Sequence, residues 1–173
     1  MTASIAAPDW FAYAILIFVA GQRLAELVIA RRNTAALLAR GAAEIGAAHY
    51  PLIVALHAIW LAALAAWALV MAPPVNLPLL AVFACLQAAR LWVLWSLGPF
   101  WTTRIITLPG APLVRRGPYR FVRHPNYLVV ILEIAVLPLV FGAWVLAAIF
   151  SLLNAAILCV RIRAEDQALA VRR

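Results

Sequence analysis

The chain has 173 residues, 68% of them hydrophobic, only 12% charged, with a mean hydropathy of +1.02. A soluble domain of that length would carry far more charge on its surface, so the composition excludes one and predicts an integral membrane protein. The net charge of +8 does not indicate nucleic-acid binding, because there is no soluble basic domain to carry it.

In chain order, residues 1–9 hold Asp9 and no basic residue, so no signal-peptide n-region is expected. Spans are predicted at about 10–30, 49–71 and 77–97, with a polar cytoplasmic connector over 98–126. The block from Tyr127 to Val160 is nearly unbroken apolar sequence. As one helix it would be about 51 Å long, against a hydrocarbon core of roughly 30 Å. It must therefore fold back, and Pro138 and Gly142 mark the place. This predicts helices at 127–140 and 143–164. The expected fold class is an all-α integral membrane protein of about five transmembrane helices in a single domain over 1–173. The last two form a hairpin beside a cytoplasmic cofactor pocket.

Every basic side chain is arginine, and all except Arg23 and Arg90 lie in connectors, at the end of the last span or in the tail. The positive-inside rule then places the N-terminus outside and the C-terminus in the cytoplasm. Cys85 and Cys159 stand alone, so neither a disulfide framework nor a zinc site is expected.

Four ionisable residues fall within the spans: Arg23, Glu26, Arg90 and Glu133. Each costs roughly 2.5–3.5 kcal/mol at mid-membrane on insertion scales, and two of each sign point to pairing. Arg23 and Glu26 already share a helical face. Glu133 lies just beyond the motif Arg123-His124-Pro125-Asn126-Tyr127, which makes it the candidate base or orienting acceptor. Pro125 is preorganised for a first helical turn, so the motif opens the short helix and presents a helix N-terminus. Arg123 and His124 add donors for a carboxylate or phosphate. At the other foot of the hairpin, Arg161 and Glu165 share a face at i, i+4, as do Arg163 and Asp166 at i, i+3. Interhelical ion pairing and juxtamembrane solvation are the plain readings of these charges. Two charged clusters at the feet of one hairpin also frame a polar pocket. No dinucleotide, P-loop, zinc or serine-hydrolase motif occurs in the chain, so no metal is expected. The residues suit a small zwitterionic or anionic cofactor.

Leu113-Val114, Tyr119, His124-Pro125-Asn126-Tyr127 and then Arg161 with Glu165 resemble the C-terminal signature of the isoprenylcysteine carboxyl methyltransferase family, over about residues 95–170. The resemblance implies that Leu113, Val114, Tyr119, His124, Pro125, Asn126, Tyr127 and Glu165 hold S-adenosylmethionine and that Arg161 contacts the acceptor. Ala111 stands where the family often has His, Glu165-Asp166 replaces a paired Glu-Glu, and Val129 replaces a favoured Gly. The run from Trp101 to Ile105, with Leu132-Glu133-Ile134, looks more like a bacterial branch that O-methylates phenolic lipids such as alkylpyrones and alkylresorcinols. The expected function is transfer of a methyl group to a carboxylate, enol or phenol oxygen of a lipidic acceptor, with Arg161 and Glu133 as catalytic candidates, in a bacterial inner membrane. Membrane lipids and a lipophilic substrate are the expected partners, with no nucleic acid and no obligate protein. A phospholipid N-methyltransferase, a nicotinamide-dependent membrane reductase and a non-enzymatic membrane protein are the alternatives.

Overall fold

A computed structural model describes residues 4–5 and 9–170. Residues 1–3, 6–8 and 171–173, which include the two chain ends of the predicted topology, lie outside the described residues. Five α-helices carry the fold: α1 (Asp9–Leu38), α2 (Tyr50–Met71), α3 (Leu77–Leu97), α4 (Pro125–Val140) and α5 (Trp144–Ala170). Among the described residues, four helices are long and apolar enough to cross a membrane, and Pro125–Val140 is shorter. Those four mark an integral membrane protein. At about 24 Å, α4 falls short of a hydrocarbon core of roughly 30 Å.

The helix ends follow from local chemistry. Pro78 stands in the first turn of α3, and the Asn76 side chain caps it by accepting from Leu79 N at 3.1 Å. Helix α4 begins at Pro125 and ends in a Schellman turn: Ala143 N donates to Pro138 O at 2.9 Å and Gly142 N to Leu139 O at 3.1 Å. Gly142 sits at φ 65°, the left-handed conformation this turn needs. The hairpin predicted at Pro138 and Gly142 is therefore present, and Trp67 Nε1 ties it to α2 through Phe141 O at 3.0 Å. Two helices run further than their predicted spans: α1 continues to Leu38 instead of ending near 30, and α5 continues to Ala170 instead of 164. Hydropathy falls at Arg31-Arg32 and at Arg161, but Ala, Leu and Arg remain strong helix formers. The helix therefore outlasts the apolar stretch.

Trp60 and Leu64 of α2 pack against Ile134, Leu137 and Val140 of α4, with Val19 of α1 and Phe150 of α5 in the same cluster. Between membrane helices this packing holds by close van der Waals contact more than by exclusion of water. The outer faces are apolar as well: Leu69, Trp95 and Leu152 are 69–85% exposed, which suits lipid and not water.

Among the described residues, four short strands depart from the all-helical expectation. β1 (Ser4–Ile5) pairs antiparallel with β3 (Val75–Asn76), and β2 (Ala43–Ile45) pairs antiparallel with β4 (Ile105–Thr107). The second ladder joins the α1–α2 connector to the long connector after α3. Arg104 reinforces it, donating to both Glu44 carboxylate oxygens at 2.8 Å and lying 4.5 Å above the Tyr50 ring.

The long connector also docks on α3. Arg116 Nε donates to Ser96 O at 2.8 Å, and Gly117 follows at φ 56°. A Cβ there would lie 2.0 Å from Ser96 Oγ and 3.1 Å from Trp92 Nε1. Gly117→Ala is expected to destabilise the protein by about 1–3 kcal/mol, read from thermal unfolding in detergent. Adding Ser96→Gly, which clears part of the obstruction, recovers some of that loss. An unchanged melting point for Gly117→Ala alone would contradict the docking.

Candidate active site

The site grows from the first turn of α4 and the last turns of α5. His124 is the residue before Pro125, and its side chain makes no capping bond. Its ring faces α5, with Nδ1 3.8 Å from Glu165 Oε2 and Nε2 3.5 Å from Asp166 Oδ1. Tyr127, one turn on, stacks against the His124 ring at 5.4 Å between centroids. Its hydroxyl donates to Glu165 Oε2 and accepts from Arg161 Nε at 3.0 Å. Arg161 and Glu165 share the α5 face that the i, i+4 spacing dictates, so both reach the one hydroxyl. The Nη2 group of Arg161 continues the chain to Thr103 O at 2.5 Å. The two feet of the hairpin therefore meet through Tyr127, and the long connector is fastened to them.

A cavity of about 700 Å³ adjoins this cluster, within the range of roughly 300–1,000 Å³ typical of small-molecule sites. Of the residues named from the sequence, Leu113, Val114, Tyr119, His124, Asn126, Tyr127, Arg161 and Glu165 all line it. Pro125 is buried at the start of α4 and does not line it. Among the described residues, Asn126 Oδ1 is a buried acceptor without a hydrogen-bond partner. Burial first, and the Glu165 carboxylate second, push the Tyr119 phenol above its ordinary value, so it remains protonated and able to donate at neutral pH. A carboxylate, protonated phenols, an imidazole, an unsatisfied amide oxygen and the apolar Leu113-Val114 pair fit a zwitterionic nucleoside such as S-adenosylmethionine. Such a molecule needs an anion beside its ammonium, a donor beside its carboxylate and an apolar slot for its base.

Glu133 lies elsewhere. It is 1% exposed, does not line the cavity, and accepts from Gln87 Nε2 at 2.9 Å, Arg90 Nη1 at 2.8 Å and Arg23 Nη2 at 2.6 Å. Glu26 is held from two sides, by Arg90 Nε at 2.5 Å and Nη2 at 2.6 Å and by Arg23 Nη1 at 3.3 Å. The four intramembrane charges thus form one neutral network joining α1, α3 and α4. With three donors on its oxygens, Glu133 balances the charges of Arg23 and Arg90 in this arrangement. The i, i+3 pair of Arg23 with Glu26 is present, but Arg90 is the tighter partner. Arg23, Glu26 and Arg90 line the same cavity, as does His57. Neither Thr103 nor His57 was singled out from the sequence: Thr103 acts through its backbone carbonyl, which no motif records, and His57 is a lone histidine in an apolar span.

A helical membrane bundle whose terminal hairpin borders a polar cavity defines an integral membrane protein with a candidate small-molecule site. Residues 79–171 match the isoprenylcysteine carboxyl methyltransferase family, and the chain belongs to it. The chain is also 45% identical over 163 residues to the Bacillus subtilis protein named Uncharacterized protein YpbQ, covering 92% of this chain and 95% of that one. It is 30% identical over 156 residues to an uncharacterized protein of Haemophilus influenzae, covering 86% and 88%. No solved structure matches. Family membership implies an S-adenosylmethionine-dependent membrane methyltransferase.

Proposed function

We propose that this chain methylates an oxygen atom of a lipidic acceptor, a phenolic or enolic lipid or an isoprenylcysteine-like carboxylate, using S-adenosylmethionine. The observation that carries the reading is the convergence of His124, Tyr127, Arg161 and Glu165 on one cavity that also has apolar walls, among them Leu24, Ile53, Leu61 and Leu158. When bound, S-adenosylmethionine supplies an electrophilic methyl group on a sulfonium. Glu165 would hold the ammonium of its amino-acid end, with His124 and Arg123 beside the carboxylate. Leu113 and Val114 would pack on the base, and Tyr119 and Asn126 would satisfy its polar edge. Arg161, with Nε and Nη2 already engaged, has Nη1 for the acceptor oxygen. Alignment of this kind supplies roughly 7–11 kcal/mol of a displacement barrier, and exclusion of water strengthens the attraction between a cation and an anionic oxygen.

The reading is tested by incubating the purified protein in lipid nanodiscs with methyl-labelled S-adenosylmethionine and a bacterial lipid extract. Label is expected in an organic-soluble ether or ester identified by mass spectrometry. Label confined to amine headgroups would favour N-methylation, and no transfer with no cofactor binding would overturn the assignment.

A further inference from the structure

The cavity is also lined by a side chain that the cofactor cluster does not use. His57 stands in α2 and lines the cavity together with Arg23, Ile53 and Leu61. Its Nδ1 lies 2.8 Å from Ile53 O, one turn back. A carbonyl oxygen can only accept, so Nδ1 is the donor and carries the proton. In the neutral ring that leaves Nε2 as the lone-pair nitrogen, its tautomer fixed by the backbone. The ring is oriented a second time by the edge of Trp60, at 6.5 Å between centroids and 77°. The Arg23 guanidinium group, held by Glu26 and Glu133, belongs to the same lining. An oriented proton acceptor and a guanidinium on the walls of one cavity form a complementary pair for a hydroxyl group that is to become an oxyanion. The carboxylate of Glu133, by contrast, has its oxygens engaged by three donors.

The geometry points to His57 as the general base of the reaction, and hence to an acceptor that arrives as a protonated hydroxyl, a phenol or an enol, and not as a carboxylate. This rests on the methyl-transfer reading above. A carboxylate, ionised above a pH of about 4, brings no proton to remove, whereas a phenol holds its proton to about pH 10. The acceptor O–H proton passes to His57 Nε2 while an oxygen lone pair forms the O–CH3 bond. The electrons of the broken S–CH3 bond stay on sulfur, leaving S-adenosylhomocysteine. The imidazolium then returns its proton to water, so one positive charge enters and one leaves. Arg23 is a positioning residue whose positive charge on the cavity lining would favour the oxyanion that Arg161 meets.

The test compares wild type with His57→Gln and uses two acceptors: a long-chain alkylphenol and a long-chain alkyl-nitrophenol whose phenolate absorbs visible light. For the alkylphenol, His57→Gln is expected to lower kcat by about 10²–10⁴-fold. For the nitrophenol, assayed at a pH where it is already ionised, it should change little. A readout without turnover accompanies this. Below the free nitrophenol's pKa, binding to wild type should generate the phenolate absorption band, and His57→Gln should lose it. Equal S-adenosylhomocysteine affinity in the two proteins shows that the variant is folded. Wild-type rates on both phenols in His57→Gln, or an undiminished phenolate band, would overturn the base role alone. Absence of methyl transfer and cofactor binding in the wild-type protein would instead overturn the underlying reading, and the base role with it.

Discussion

Arg90→Met is expected to destabilise the protein by about 3–5 kcal/mol, the cost of leaving buried charges without their partner. Arg90 is 5% exposed and makes three charged hydrogen bonds, two to Glu26 and one to Glu133. Methionine fills much of the volume but supplies no donor, so Arg23 would have to balance two carboxylates by itself. The network is neutral as it stands, which is why one removal is severe. Neutralising one carboxylate as well, in Arg90→Met with Glu26→Gln, leaves the Arg23–Glu133 pair at 2.6 Å intact and the network neutral, and should recover much of the loss. A reversible unfolding measurement in detergent decides the matter: if the double variant is no more stable than the single one, the cost does not come from uncompensated charge. Within the network, Glu133→Gln should affect cofactor binding only through folding, because Glu133 makes no wall of the cavity.

Glu165→Gln is expected to weaken S-adenosylhomocysteine binding by about 1.5–3 kcal/mol, the range for a hydrogen bond to a charged group, or roughly 10–150-fold. The variant keeps the shape of the side chain and removes the charge that would face the ligand's ammonium. It also changes the partner of the Tyr127 hydroxyl, so Tyr127→Phe serves as its companion. Phenylalanine leaves the buried Arg161 Nε without its acceptor, at a cost of about 1–3 kcal/mol. If Glu165 holds ligand directly, Glu165→Gln loses affinity at full stability, whereas Tyr127→Phe loses stability together with affinity. Isothermal titration and thermal unfolding on the same preparations separate the two. Wild-type affinity in Glu165→Gln would remove that residue from the cofactor site.

Much of this arrangement could be read along the chain because it depends on local rules. Pro138 and Gly142 broke an apolar block too long for one crossing, and the Schellman turn sits at that place. The i, i+4 spacing of Arg161 and Glu165 placed both on one face, and both reach Tyr127. What escaped was long-range or rotational. The pairing of β2 with β4 joins connectors some sixty residues apart through backbone atoms, and no side-chain pattern announces it. Glu133 follows the histidine motif closely, but six residues beyond Tyr127 is about 600° of helical rotation. That turns it some 120° away from the face that meets α5 and toward α1 and α3, where Arg23 and Arg90 hold it. Proximity in sequence was a poor guide there, and the helical wheel a better one. The overhanging ends of α1 and α5 reflect two different limits, since hydropathy marks where lipid stops and propensity marks where the helix stops.

Ultraviolet cross-linking of labelled S-adenosylmethionine to the wild-type protein, followed by peptide mapping, addresses the donor site most directly. Label on peptides spanning 113–127 or 161–165 is the predicted result. Label confined to other segments, or no label that excess S-adenosylhomocysteine can displace, would contradict it.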